Sequence, residues 1–223
     1  MSRVLIIPDL HIPAMHPRFI RFLKDVDRKH KCNRWVGIGD SVDWNAISFH
    51  EKDPSMPNAS EEFKIAKKQM QKLYKAFPEV DYLIGNHSDL PQRKATMVGL
   101  PKEVIVPFKE LWGVDGWTIH ERYSDIEIDG VIYRHGDKGK GGRMAALNNA
   151  KDEHKSLVQG HLHAQFGIEY ASNHERLIWG MQCGCGVTPG HPSMKYSRIY
   201  SARPIMGCAV VINGVPTLEP FNL

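Results

Sequence analysis

The chain predicts an α/β protein built of two packed mixed sheets flanked by helices. Three observations lead there. Short apolar runs recur through all 223 residues and read as buried strands. In the first half they alternate with helical patterns as β-α-β-α-β. The second half is mostly strands with one helix, and such elements close around a core by packing sheet on sheet under helices. No repeat, low-complexity tract or linker interrupts the pattern, so one domain over 1–223 is expected.

The first strand is 3–7, with Val4-Leu5-Ile6-Ile7 continuous, β-branched and short. Pro13 and Pro17 punctuate a loop. A helix follows over about 17–29, with Phe19, Phe22, Leu23 and Val26 on one face. The second strand is 34–39. Turn formers fill 44–58. Ser60 is placed to cap the next helix, with Glu61 and Glu62 in its first turn. Phe63, Ala66, Met70, Leu73 and Phe77 form its buried stripe. The third strand is 80–84, and Pro91, Pro101 and Pro107 break 88–116 into short helices and loops.

Strands are then expected at 117–123 and 126–128. Asp129-Gly130 is a strong hairpin turn, returning through 131–134. Gly141-Gly142 opens a helix to about residue 152, and a strand follows at 156–159. From 164 onward the chain is strand-rich, with Gly/Pro punctuation over 184–192 and a second hairpin turn at Asn213-Gly214.

The formal charge is +4 with 12 histidines counted neutral, a mildly basic balance that suits an anionic substrate without demanding nucleic acid. Four cysteines in a chain of this size form no disulfide framework, which points to a reducing, cytoplasmic setting. The first apolar run is too short for a signal peptide or a span, and no membrane association is expected.

The polar residues at the strand ends carry the chemistry. Asp9 and His11 follow the first strand, Asp40 and Asp43 the second, and Asn86 and His87 the third. His135 follows 131–134, and His161 and His163 follow 156–159. Asp9, His11, Asp40, Asn86, His135, His161 and His163 make a mixed oxygen and nitrogen donor set without thiolate. That suits Mn, Fe, Zn, Ni or Mg. Seven donors exceed one tetrahedral site and divide into two sites sharing a carboxylate. Paired ions can clamp a phosphoryl oxygen and supply hydroxide as nucleophile.

Asp9-Leu10-His11, Gly39-Asp40-Ser41-Val42-Asp43, Gly85-Asn86-His87, the isolated His135 and Gly160-His161-Leu162-His163 occur in that order. With these motifs the chain resembles the calcineurin-like metallophosphoesterases, which include phosphoprotein phosphatases, phosphodiesterases and nucleases. The resemblance implies a four-layer α-β-β-α sandwich and two divalent ions, Mn²⁺ first among them. It implies that Asp9, His11 and His163 hold one ion, that Asn86, His135 and His161 hold the other, and that Asp40 bridges. His87 becomes the acid that assists the leaving oxygen, oriented by Asp43. The implied substrate is a small phosphodiester or a nucleotide, with nuclease action or a catalytically silent scaffold as alternatives.

Two departures stand out. Ser88 separates His87 from Asp89, where the family usually places an acid directly after the histidine. Trp44-Asn45 stands where phosphoprotein phosphatases carry Arg-Gly, which argues against a phosphoprotein substrate. The glycine-rich basic loop 136–143 offers Lys138 and Arg143 as substrate contacts beside Asn86 and His87. The stretch 195–203 interleaves aromatic and basic residues, which can stack bases but equally describes a solvated strand. Cys183 and Cys185 are expected as small buried side chains.

Overall fold

Alternate residues of the first strand face different cores, and that fixes the architecture. The computed structural model describes residues 1–49, 53–193 and 202–222. In β1 (Arg3–Ile7), Leu5 and Ile7 join an apolar cluster with Phe19, Leu23, Met70 and Leu73. Val4 and Ile6 point the opposite way, into a second cluster with Ile126, Tyr133, Val158 and Met181. Period-two alternation lets one apolar strand serve both.

The other strands are β2 (Arg34–Gly37), β3 (Asp81–Leu83), β4 (Thr118–His120), β5 (Ile126–Ile128), β6 (Val131–Arg134), β7 (Ser156–Gln159), β8 (Phe166–Ser172), β9 (Leu177–Cys183), β10 (Gly207–Ile212) and β11 (Val215–Pro220). They form a six-stranded sheet ordered β11-β10-β1-β2-β3-β4 and a five-stranded sheet ordered β5-β6-β7-β9-β8. Strands β1 to β4 run parallel, with Leu5 beside Trp35 and Gly37 beside Tyr82. Strands β6, β7 and β9 are parallel in the second sheet, with Val158 beside Met181.

Helices α1 (Phe19–His30) and α2 (Ala59–Ala76) cover the outer face of the six-stranded sheet. Two shorter helices, α3 (Leu90–Met97) and α4 (Phe108–Trp112), occupy the 88–116 region. Helix α5 (Ala145–Glu153) covers the five-stranded sheet, where Ala150 packs with Ile132 and Leu157. The order is α-β-β-α, as the sequence predicts. No helix among the described residues is long and apolar enough to cross a membrane.

Both hairpin turns form as expected. Asp129 and Gly130 have φ of 50° and 77°, and Asn213 and Gly214 have 52° and 80°, the left-handed pair that joins β5 to β6 and β10 to β11. Beyond β2 and β3, which are shorter than the expected 34–39 and 80–84, three boundaries differ from the sequence expectation. The cap of α2 is Asn58, not Ser60: its side chain accepts from the Ser60 and Glu61 amides while Glu61 returns to the Asn58 amide. Helix α5 begins at Ala145 because Gly142 has φ of 81°, outside any right-handed helix. The expected strand 117–123 shrinks to β4, since Trp117 turns into the core and donates from Nε1 to the Phe77 carbonyl at 2.8 Å. Residues 195–201 of the aromatic-basic stretch lie outside the described residues.

Candidate metal centre

The carboxyl ends of β1, β2, β3, β6 and β7 meet at one edge of the sandwich, the end of parallel sheets where ligands bind. Sharp reversals follow β1, β2 and β7. His11, Asp40 and His161 take φ of 44°, 41° and 66°, left-handed values that non-glycine residues rarely adopt. Each costs about 1 kcal/mol or more, and such strain concentrates at functional sites. Three of the seven expected ligands carry it.

Asp40 is fully buried, and its two oxygens have separate duties. Oδ1 accepts the backbone N–H groups of His87 at 2.8 Å and Ser88 at 3.0 Å. Oδ2 is left 3.2 Å from His135 Nε2 and 4.0 Å from His11 Nε2, between the two histidines. A Cβ on Gly85 would collide with Oδ1, so glycine is required there for close approach. Gly160 plays the same part beside Asp9 Oδ1.

Asp9 Oδ2 accepts the His161 amide at 3.0 Å and lies 3.1 Å from His163 Nε2. Its Oδ1 is buried with no hydrogen-bond partner. His163 Nε2 also faces His11 Nε2 at 3.1 Å. On the other side, His135 Nε2 lies 3.1 Å from Asn86 Oδ1, and Asp40, His135 and His161 bring donor atoms within 4.8 Å of one another. Asp9, His11 and His163 do the same.

The remaining ring nitrogens fix the tautomers. His135 Nδ1–H donates to the Ile38 carbonyl at 3.0 Å, which turns Nε2 toward Asp40 and Asn86. His11 Nδ1–H donates to Asp43 Oδ1 at 2.8 Å, leaving Nε2 toward His163. This pairing of one ring nitrogen with an oxygen acceptor is how ligating histidines are usually held. His87 Nδ1–H is shared between Asp43 Oδ1 at 3.0 Å and the Asp43 carbonyl at 2.9 Å. Only Nε2 of His87 remains for chemistry.

The electrostatics follow from this crowding. Burial raises the Asp40 carboxyl, but His135, His87 and His11 outweigh it and hold it well below the carboxylate range. Asp9 is lowered against burial by His135 and His163. Burial opposes charge on His135, yet Asp40 and Asp9 push it up to about 10. His87 rises to about 9 against burial, through the Asp43 hydrogen bond and the charge of Asp40. Burial and the positive His135 drop His161 to about 4. Burial and His87 lower His11.

Do these groups fit divalent cations? Donors about 2.1 Å from a common ion stand roughly 3.0–3.4 Å apart in a tetrahedral or octahedral shell. The observed N···N and N···O separations are 3.1 Å for His11–His163, His163–Asp9 and His135–Asn86, and 3.2 Å for His135–Asp40. At that spacing the donor atoms converge on common points, where a bound cation would displace the proton that the raised His135 carries. The orphaned Asp9 Oδ1 adds an acceptor. The donor set fits.

The other expected contacts fall elsewhere. Lys138 Nζ pairs with Asp125 at 3.0 Å and with the Tyr123 carbonyl at 2.5 Å, so reaching a substrate would require it to leave both. Arg143 is exposed in a groove beside Gln165 and Phe166. Asp89 faces Arg122 at 3.6 Å, and Ser88 Oγ meets the Tyr82 hydroxyl at 2.8 Å. Cys183 and Cys185 are buried with free thiols.

Two features escaped sequence reasoning. Asp43 Oδ1 serves His11 as well as His87, whereas the family resemblance implied only the second. Arg93 donates from Nη1 to the Asn86 carbonyl at 3.0 Å and sits 4.9 Å over the Phe49 ring. Nothing marks it in sequence beyond its place early in the helix that follows Gly85-Asn86-His87.

No family model matches the chain, and no curated protein does. Solved structures do resemble it. One is a metallophosphoesterase from Sphaerobacter thermophilus, 14% identical, with 99% of this chain and 88% of that one covered at a TM-score of 0.49. Another is the Escherichia coli phosphoesterase Yfce, 12% identical, with 97% and 91% covered at 0.47. A third is Vacuolar Protein Sorting 29 from Cryptosporidium parvum, 15% identical, with 98% and 95% covered at 0.44. Likeness at this level decides nothing about activity, which must be argued from the side chains at the strand ends.

Proposed function

We propose that this chain is a metal-dependent phosphoesterase of the calcineurin-like kind, with two divalent cations held at the strand ends. Asp9, His11 and His163 would hold one ion, Asn86, His135 and His161 the other, and Asp40 Oδ2 would serve both. The observation that carries the proposal is the 3.1–3.2 Å convergence of ring nitrogens and acceptor oxygens around buried Asp40 and Asp9. Mixed oxygen and nitrogen donors without thiolate suit Mn, Fe, Zn, Ni or Mg, and the resemblance to the calcineurin-like family puts Mn²⁺ first among them. When bound, such ions neutralise phosphate charge and supply hydroxide at neutral pH.

The protein's own contribution is positioning and proton supply. In the metal-free protein His87 is raised to about 9 and carries a proton at neutral pH. With Nδ1 fixed on Asp43, it can deliver that proton only from Nε2, toward the departing alcohol oxygen. The amides of His87 and Ser88 lock Asp40 so that one oxygen always faces the centre. Burial of Asp9, Asp40 and His135 keeps bulk water from competing. Substrate would contact Asn86 and His87, with Arg143 as an outer cation.

A small phosphodiester or nucleotide is the substrate class proposed. The test is hydrolysis of bis-p-nitrophenyl phosphate against p-nitrophenyl phosphate by Mn²⁺-loaded protein, with metal content measured in parallel. Diester turnover that a chelator abolishes supports the proposal. Protein that holds two equivalents of metal and cleaves neither ester refutes it and leaves the scaffold alternative.

A further inference from the structure

The outer face of α2 carries a charge pattern that the metal centre does not use. Lys64, Lys68, Lys72 and Lys75 are exposed along it, and Lys67 lies half-buried, donating to the Leu111 carbonyl. From Phe63 to Ala76 there is no acidic residue. Among the described residues, Lys64, Lys68, Lys72 and Lys75 form no ion pair. Elsewhere the exposed lysines are mixed: Lys29 pairs with Glu219, Lys102 with Glu121, Lys140 with Asp152 and Lys155 with Glu127, whereas Lys24, Lys31, Lys109 and Lys151 form no ion pair among the described residues but build no comparable row on one helix face.

Lysines at i and i+4 repel, at about 0.2–0.5 kcal/mol per pair, so the helix is weakened by Lys64–Lys68 and Lys68–Lys72 unless an anion offsets them. At 1.5 Å rise per residue, the four exposed ammonium groups stand roughly 4.5–6 Å apart along roughly 16 Å. Successive phosphates of a polynucleotide recur at comparable intervals. A trough of about 600 Å³ follows the same face beside Phe63 and Gln71. Ile65 is the only large apolar side chain exposed on this helix, which gives a membrane little to bury. At its N-terminal end, the Glu62 carboxylate holds the amides of Asn45 and Ala46 at 2.7 and 2.8 Å, just after Asp43. That contact ties the first turn of α2 to the loop after Asp43 through the buried face of the helix, opposite the lysine row.

We infer that this face of α2 is a docking surface for a nucleic-acid backbone. Lysines in a line, without aromatic or amide groups reaching for base edges, bind phosphates and carry no sequence preference. The inference does not depend on the proposed hydrolysis.

The test is fluorescence anisotropy with a labelled 30-nucleotide single strand and a 30-base-pair duplex, on full-length protein held in chelator so that no cleavage occurs. The variant replaces Lys64, Lys68, Lys72 and Lys75 with Gln, a good helix former, and its melting curve serves as the folding control. Affinity at low salt should fall at least tenfold. The slope of log K against log salt should shrink by roughly 3, since each phosphate contact contributes about 0.7–0.9. Replacing the exposed Lys24 and Lys31 with Gln should change neither quantity. Wild-type protein that binds neither DNA, or a folded variant that keeps its affinity and slope, overturns the inference. Displacement of DNA by polyglutamate at equal charge concentration also overturns it, because the face would then read charge alone.

Discussion

Replacing Asp43 with Asn should separate proton delivery from metal binding. Asp43 is buried, and its Oδ1 accepts from both His11 and His87, at 2.8 and 3.0 Å. The amide keeps an oxygen near that position and removes the charge. The His87 ring stays oriented, because the Asp43 carbonyl still accepts Nδ1–H at 2.9 Å. What disappears is charge assistance. A hydrogen bond to a charged group is worth about 1.5–3 kcal/mol, so turnover should drop roughly 10- to 150-fold. The new amide nitrogen replaces Oδ2, which has no partner, and an unsatisfied buried donor costs a further 1–3 kcal/mol or so of stability. The assay is kcat and kcat/KM for bis-p-nitrophenyl phosphate against pH, with bound metal quantified on the same samples. A proton donor fails as pH rises through its pKa. The alkaline limb of the profile should therefore move to lower pH by one unit or more while metal content holds. An unmoved alkaline limb with reduced metal would show that Asp43 acts through His11 alone, and the role given to His87 would be wrong.

Other perturbations probe different parts of the account. Gly85→Ala places a Cβ against Asp40 Oδ1, and it should cost most of the metal and nearly all activity with secondary structure retained by circular dichroism. Asn58→Ala removes the cap of α2 and should cost about 1 kcal/mol, read as a lowered melting temperature with kcat unchanged. In chelator, His87 and His135 are raised to about 9 and about 10 from an unfolded value near ~6.5, so the folded state binds more protons across that window. Their contribution is complete below about pH 6.5 and lost as pH rises toward 10. The melting temperature of metal-free protein should fall over that range, and a flat or rising trace would contradict the ionisation described for these histidines.

Much of this was readable in the chain because it depends on local pattern. The apolar run Val4–Ile7 is continuous because β1 is buried on both faces, and Asp129-Gly130 and Asn213-Gly214 are turns because only such residues accept paired positive φ. The seven expected donors sit after strands, and parallel strands bring their carboxyl ends together. The missed features depend on tertiary distance. Nothing local tells that Asp43 reaches both His11 and His87, or that Arg93 folds back on the Asn86 carbonyl. The left-handed backbone at His11, Asp40 and His161 is not legible in sequence, because aspartate and histidine, though enriched in that region, adopt it in only a small minority of positions. Ser60 looked like a cap because a hydroxyl before two glutamates fits the pattern. Asn58 won because its own backbone is extended, with ψ of 167°, which sets its side chain against the first helical amides.

Anomalous diffraction from Mn²⁺-soaked crystals tests the central claim most directly. Two peaks should flank Asp40 Oδ2, one among Asp9, His11 and His163 and the other among Asn86, His135 and His161. A map without density between those side chains, from protein shown to be folded, would contradict it.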